Sequence, residues 1–328
     1  MKNSAEKRIE MVHFQITKGC NLRCWFCGQW GKKGFFADDA GTPVSLSEWK
    51  KVADELNAMC GDGMIRPFIM LWGGEPLTAP FFDELAEYLY TRKFKVGIVT
   101  NGTLIDKHSG VLNRCINRIY LSLDGPRALH DSVRGEGVFD RVTENVRKLG
   151  HGNVTVMSVV THGLTEALPE FLDALEKLNI RELYLQDMIG LPHDRVQQYK
   201  NWMKNTFGID AAYIDSWENN ALEIFDTERL LREIDTEKYS FEISCMRHGT
   251  DGGGYCLSPF RHAHIAWNGN VMYCTDFYDF SAGNIHSSSL GEVFGNELSE
   301  RFRAEIVNGG CAACASCSWR LKRDYLNG

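Results

Sequence analysis

Near the start of the chain, Cys20-Asn-Leu-Arg-Cys24-Trp-Phe-Cys27 forms a C-x3-C-x2-C run. Three thiolates on one short loop hold three corners of a cubane iron–sulfur cluster, which leaves the fourth iron open to a substrate or cofactor. A zinc site short of one ligand accepts the same three sulfurs, because tetrahedral sulfur ligation suits both metals. A second group lies near the end: Cys256, Cys274, Cys311, Cys314 and Cys317. Two cysteines flanking a hairpin, met by two from a distant C-x2-C, supply four thiolates for a closed cluster, or for a structural zinc knuckle. Eight of the eleven cysteines fall in these two groups, and Cys60, Cys115 and Cys245 stand apart. The polar start, Met1-Lys-Asn-Ser-Ala-Glu-Lys-Arg, has no signal-peptide pattern, and no long apolar run offers a membrane span. The expected location is therefore cytoplasmic, where clustered cysteines more often bind metal than form disulfides.

The elements that must carry these residues follow from periodicity. Strand-like runs are expected over 11–17, 68–72, 95–100, 118–123, 154–160 and 182–186. Helical patterns alternate with them over 47–59, 81–91, 106–115, 138–149 and 165–178, with Ser47 as the cap of the first and Pro80 just before the second. Six strand–helix repeats predict an α/β fold built on a (β/α)6 TIM-type barrel, complete or partial, followed by a small cysteine-rich C-terminal domain. Such folds place ligands at the C-terminal strand ends. The rhythm stops near Gly190, so the expected division is 1–190 for the barrel, 191–240 for a helical connection and 241–328 for the auxiliary domain. Within the last part, Asn268-Gly269 reads as a hairpin turn and 290–307 as one amphipathic helix. The net charge of −7 gives no electrostatic footprint for nucleic acid or an anionic membrane surface. The 44 % of hydrophobic residues is enough for a sizeable core.

The expected strand ends carry further motifs. Gly73-Gly74-Glu75-Pro76 follows the second strand, and Thr100-Asn101-Gly102 the third. Leu121-Ser122-Leu123-Asp124-Gly125 follows the fourth, with His130-Asp131 and Arg134-Gly135 beyond it. With the C-x3-C-x2-C run and the aromatic Phe26 just before Cys27, this series resembles the radical S-adenosylmethionine (SAM) superfamily over roughly residues 10–190. The resemblance implies that Cys20, Cys24 and Cys27 hold a [4Fe–4S] cluster whose open iron chelates SAM. Reductive cleavage would give a 5′-deoxyadenosyl radical that abstracts a substrate hydrogen. It further implies that Phe26, Gly73, Gly74, Glu75, Asn101, Ser122, Asp124 and Arg134 surround the cofactor, with the Glu75 carboxylate meeting the ammonium of SAM. Gln186, at the end of the sixth strand, is a further candidate for SAM or substrate contact, as is Asp187.

The second cysteine group resembles the SPASM and twitch extensions of that superfamily, which hold auxiliary [4Fe–4S] clusters. A full SPASM domain needs more cysteines than the five here, and its C-x2-C-x5-C-x3-C run is shortened to C-x2-C-x2-C. One auxiliary cluster is therefore expected, ligated by Cys256, Cys274 and two of Cys311, Cys314 and Cys317. The expected function is oxidation of a small natural-product or sugar substrate, the electron passing to that cluster. A peptide substrate is the alternative, as is a redox-neutral epimerisation with Cys245 as hydrogen donor. The early start of the first strand leaves little room before it for a peptide-gripping domain, which favours the small substrate. A flavodoxin- or ferredoxin-type donor would supply electrons. His248, His262 and His264 near Cys256 are candidate substrate contacts or surface polar residues. The loop over 31–43 is a candidate lid or an exposed connection.

Overall fold

The computed structural model describes residues 7–30, 34, 36, 40–60, 65–188, 190–219, 225, 227–245, 255–274, 278–311 and 314. Six strands alternate with helices through its first half: β1 (Met11–Thr17), β2 (Phe68–Gly73), β3 (Val96–Thr100), β4 (Arg118–Ser122), β5 (Val154–Val160) and β6 (Glu182–Asp187). Each pairs in parallel with the next. The helices between them are α1 (Leu46–Met59), α2 (Phe82–Thr91), α3 (Ile105–Cys115), α4 (Arg127–Arg134), α5 (Val138–Leu149) and α6 (His162–Leu175). On β1 the even-numbered Val12, Phe14 and Ile16 are buried under the helices, Phe14 stacking on Trp49 of α1 at 4.7 Å, while Met11 and His13 turn to the inner face and line an interior cavity. The same alternation puts Met70 and Trp72, Tyr120 and Ser122, and Met157 and Val159 inside. The inner face of this curved sheet is therefore a wall for a ligand. Its N-terminal end is closed by polar contacts. Arg118 donates to Glu182 and to Thr155 Oγ1, and the Ser244 hydroxyl donates to Glu182 at 2.7 Å.

The sheet extends beyond six strands at both edges. After α7 (His193–Phe207) and the short α8 (Thr227–Arg232), β7 (Glu242–Cys245) pairs in parallel with β6. A single helical turn, α9 (Ser258–Arg261), leads into β8 (His262–Ile265), which pairs in parallel with β1. The antiparallel β9 (Asn270–Met272) and β10 (Gly283–Asn284) follow. The turn between β8 and β9 falls at Asn268-Gly269 as expected, with Gly269 at φ +84°. The strand order is β10-β9-β8-β1-β2-β3-β4-β5-β6-β7, an open, partly closed barrel among the described residues. Residues 242–245 and 262–265 are thus strands of the barrel sheet itself.

Three helix expectations shift for local reasons. The cap of α1 is Ser45, not Ser47: Ser45 accepts from the Glu48 N–H, and Glu48 accepts from the Ser45 N–H, a capping box that places the helix cap two residues earlier. The Thr161 side chain caps α6 by accepting from the Leu164 N–H, so that helix begins at His162. The stretch 290–307 is two helices, α10 (Leu290–Gly295) and α11 (Glu297–Val307). Asn296 is extended between them, and its side chain accepts from the Ser299 N–H. The apolar stripe continues across the break, which is why periodicity joined them.

Phe302 of α11 stacks on Phe280 at 4.3 Å. The buried Arg303 guanidinium lies 4.3 Å from the Phe294 ring centre and donates through Nε to the Pro259 carbonyl. These contacts tie the region around Cys256 and Cys274 to the last helices. Among the described residues, no helix is long and apolar enough to cross a membrane.

Candidate functional site

The C-terminal ends of the parallel strands open on a cavity of about 620 Å³. The loop after β1 carries Cys20, Cys24 and Cys27, and all three line this cavity. Each sulfur faces a donor: the Leu22 N–H lies 3.4 Å from Cys20 Sγ, the Trp30 N–H 3.4 Å from Cys27 Sγ, and Arg134 Nη1 3.8 Å from Cys24 Sγ. Burial pushes the Cys20 thiol up to about 11 and raises that of Cys24. Thiolates here therefore need a bound cation, which is the chemistry of a metal-cluster ligand set. The loop is held from outside. The Trp30 indole donates to the Lys18 carbonyl at 2.6 Å, Arg23 lies over the Trp30 ring at 4.2 Å, and Gly28 sits so close to Trp217 that a Cβ there would lie 2.6 Å from the indole.

The Gly73-Gly74 turn packs against the backbone of that loop. A Cβ on Gly73 would lie 2.2 Å from the Thr17 carbonyl oxygen, and one on Gly74 would lie 2.2 Å from that of Gly19. Gly74 N–H donates to Thr17 and Glu75 N–H to Gly19. Only glycines permit this approach, and both line the cavity.

Glu75 departs from expectation. It is fully buried and is not among the cavity-lining residues. Its carboxylate accepts from the Leu77 N–H at 3.1 Å, the Thr100 hydroxyl at 2.8 Å and the Asn101 N–H at 2.7 Å. It therefore pins the turn after β2 to the end of β3. Burial pushes its carboxyl up to about 7. A proton held by the fold where the unfolded chain has released its own makes stability fall as pH rises from the ordinary carboxylate range to about 7.

Glu75→Ala strands three buried donors and is expected to cost about 2–4 kcal/mol of stability. It should also weaken SAM binding, because Gly73, Gly74 and Asn101 lose their common anchor. Glu75→Gln should fall between the two and flatten the pH slope. Melting curves across pH and SAM titrations check this, and unchanged melting of the Ala variant would remove Glu75 from the anchor role.

The remaining predicted residues divide between the cavity and its support. Phe26, Asn101, Ser122, Arg134 and Gln186 line the cavity, as does Asp187. Asp124 does not: it lies behind Arg134, accepting from Arg134 Nε at 2.6 Å and from the Val159 N–H at 3.0 Å. The buried His130 accepts from the Asp124 N–H, so the Asp-Gly, His-Asp and Arg-Gly pieces form one support for the guanidinium. That cation stands beside Cys24 and 5.9 Å from the Phe26 ring centre. The short helix α4, not anticipated from periodicity, places Arg134 at its C-terminal end.

Cys256, Cys274, Cys311 and Cys314 line the same cavity. The sulfurs of Cys311 and Cys314 are 3.4 Å apart. Burial raises the Tyr199 hydroxyl well above its ordinary value, with Asp279 and then Cys311, Cys274 and Cys314 adding to the effect. Cys317 and His248 lie outside the described residues, as do residues 31–33, 35 and 37–39 of the loop over 31–43.

Cys245 is not brought to the cavity. It ends β7 in register with Leu185, whose side chain is fully buried in the core between sheet and helices, whereas Ser244 on the opposite face bonds Glu182. Register partners in a parallel sheet share a face, so the thiol points away from the interior. Cys245 is therefore not among the described residues that line the cavity.

Asn21, Thr103 and His13, and the arrangements they complete, escaped sequence reasoning. Asn21, Asn101 and Thr103 form a closed hydrogen-bonded ring that joins the cysteine loop to β3. Their spacing of 80 residues hides it. His13, His262 and His264 meet on the inner face, where burial holds His13 down at about 3, with His262 adding to the effect, and His262 at about 4. The alternation of Met11, His13 and Gln15 on a predicted strand was the available signal for His13.

Comparison with known proteins bears on this arrangement. The family model of the radical SAM superfamily matches residues 14–178, and that of an iron–sulfur cluster-binding domain, SPASM, matches residues 256–318. An AdoMet-dependent heme synthase of Methanosarcina barkeri is 26 % identical over 96 % of this chain and 94 % of its own. The antilisterial bacteriocin subtilosin biosynthesis protein AlbA of Bacillus subtilis is 30 % identical over 87 % of this chain and 59 % of its own. The crystal structure of Streptococcus suis SuiB bound to S-adenosylmethionine shares the fold, with a TM-score of 0.69 at 14 % identity, over 98 % of this chain and 74 % of that one. The cysteine loop on β1, the glycine turn on β2 and the matched segments agree: this chain belongs to the radical SAM superfamily, with the SAM-binding [4Fe–4S] cluster of that superfamily and an iron–sulfur SPASM domain.

Proposed function

We propose that this protein removes hydrogen from a substrate held between its two cysteine groups and passes the remaining electron to an auxiliary [4Fe–4S] cluster. The supporting observation is that one cavity is lined by Cys20, Cys24 and Cys27 and also by Cys256, Cys274, Cys311 and Cys314. When bound and reduced, the N-terminal cluster with SAM supplies the hydrogen-abstracting radical, a chemistry that belongs to the cofactor. The chain's residues bind, orient and exclude water. Cys20, Cys24 and Cys27 are the ligands of the first cluster. Gly73 and Gly74 offer backbone, and Asn101, Ser122 and Gln186 offer polar side chains, to SAM. Arg134, oriented by Asp124, balances the negative charge of the thiolates. Cys256, Cys274, Cys311 and Cys314 supply four thiolates for one auxiliary cluster. Reduction comes from a flavodoxin- or ferredoxin-type partner.

The cavity wall is mainly apolar, with Met11, Met70, Trp72, Met157 and Val159 contributing. That wall suits a compact, largely apolar natural product better than a sugar, whose hydroxyls it leaves unpaired. The heme synthase, aligned over nearly its whole length, supports a small-molecule substrate. A peptide is the second reading, favoured by the 30 % identity to the bacteriocin biosynthesis protein. With Cys245 facing away, epimerisation through that thiol has no geometric support. Anaerobic assays with reductant and SAM, supplemented with small-molecule or peptide fractions of the producing cells, distinguish the two. Stimulation of 5′-deoxyadenosine formation is expected from the small-molecule fraction, and stimulation by the peptide fraction alone would overturn that choice.

A further inference from the structure

Three histidines meet on the inner wall of the barrel, His13 on β1 and His262 and His264 on β8. The register of β1 with β8 pairs Met11 with His262 and His13 with His264. The His13 and His264 rings stand 4.2 Å apart between centres, and His262 lies 6.2 Å from the first and 6.4 Å from the second. One ligand nitrogen from each falls within 4.8 Å of the other two. His13 and His262 are half-buried, facing the cavity, whereas His264 is only 4 % exposed. The Nδ1 of His264 is buried and has no hydrogen-bond partner. Met11 Sδ approaches His13 Nε2 at 3.1 Å.

A buried, unpartnered imidazole nitrogen is costly, and three adjacent rings with one such nitrogen among them suit a shared electrophile. Nitrogens bound to zinc at 2.0–2.1 Å stand about 3.3 Å from one another, so small χ rotations bring these three to ligand geometry. A three-imidazole set leaves the fourth position open, and all three histidines line the cavity. The neighbouring lining, Met70 and Trp72, carries no charge.

We propose that His13, His262 and His264 bind one divalent transition-metal ion of the zinc or ferrous class, whose open position receives an oxygen or nitrogen donor of the substrate. Nitrogen-only ligation separates this site from both cysteine groups. It also does not depend on the substrate reading above, since the ion binds whether the substrate is a small molecule or a peptide.

The test uses protein with its iron–sulfur clusters fully loaded under anaerobic conditions, so that the cysteines are occupied. Zinc ion alone is titrated, bound zinc is counted by mass spectrometry, and its neighbours are read by zinc-edge X-ray absorption. The expected result is about one zinc per chain with a nitrogen and oxygen shell and no sulfur. His13→Ala and His262→Gln should each weaken zinc binding by roughly tenfold or more, with iron content unchanged. Zinc should also raise the melting temperature of the unaltered protein and not of the variants. Should His13→Ala fail to fold, the half-buried His262→Gln decides. Sulfur in the zinc shell, no zinc retained, or equal binding by the variants would overturn the proposal.

Discussion

Replacing Cys20, Cys24 and Cys27 together with alanine is expected to reduce 5′-deoxyadenosine formation to background. The three sulfurs share one loop, line the cavity, and each meets a single donor, from Leu22, Trp30 or Arg134. No other described cysteine stands on that loop, so no thiol replaces them. Iron content should fall by about four atoms per chain, the size of one cubane. The fold should survive, because Asn21, Arg23 and Trp30 hold the loop through bonds that do not involve sulfur. A melting curve near that of the unaltered chain would show that the loss is chemical rather than structural. Retained, reductant-dependent 5′-deoxyadenosine in the triple variant would refute the assignment of these ligands.

The second large effect is expected from Cys256→Ala combined with Cys274→Ala. These cysteines flank α9, β8 and β9, and they share the cavity with Cys311 and Cys314. Removing two of four thiolates should empty the auxiliary site, again lowering iron by about four atoms. Uncoupled SAM cleavage should persist, since the loop after β1 and the glycine turn on β2 are untouched. Product formation should fall sharply, because an electron left on the substrate radical has no acceptor. The Phe280–Phe302 stack and the Arg303 contacts should keep α11 docked on the hairpin. The cysteine-bearing tail loses its ligation, so melting should be followed alongside the iron count. A full iron complement with an unchanged product yield would leave these cysteines as plain thiols.

Much of this protein is legible along the chain. The six strands and the helices between them follow from local periodicity, because each strand alternates residues between core and cavity and each helix buries one stripe. The cysteine spacings and the glycine turn are equally local, since a loop of eight residues or a tight turn is specified by its own residues. The α4 helix, β7 and the break at Asn296 were not legible, because a short helix, a four-residue edge strand and a side-chain cap leave little periodic signal.

Roles were decided only by tertiary structure. Glu75 and Asp124 belong to motifs that point to the cofactor, and each carboxylate accepts from groups outside its own strand: Thr100 and Asn101 at the end of β3 for the first, Arg134 of α4 and Val159 of β5 for the second. Cys245 looked available in sequence, but its register with Leu185 turns it outward. His13 lies some 250 positions before His262 and His264, and only the parallel pairing of β1 with β8 brings them together. A motif specifies which side chains are near in sequence, whereas the facing of a strand and the pairing of distant strands decide which atoms are left for a ligand.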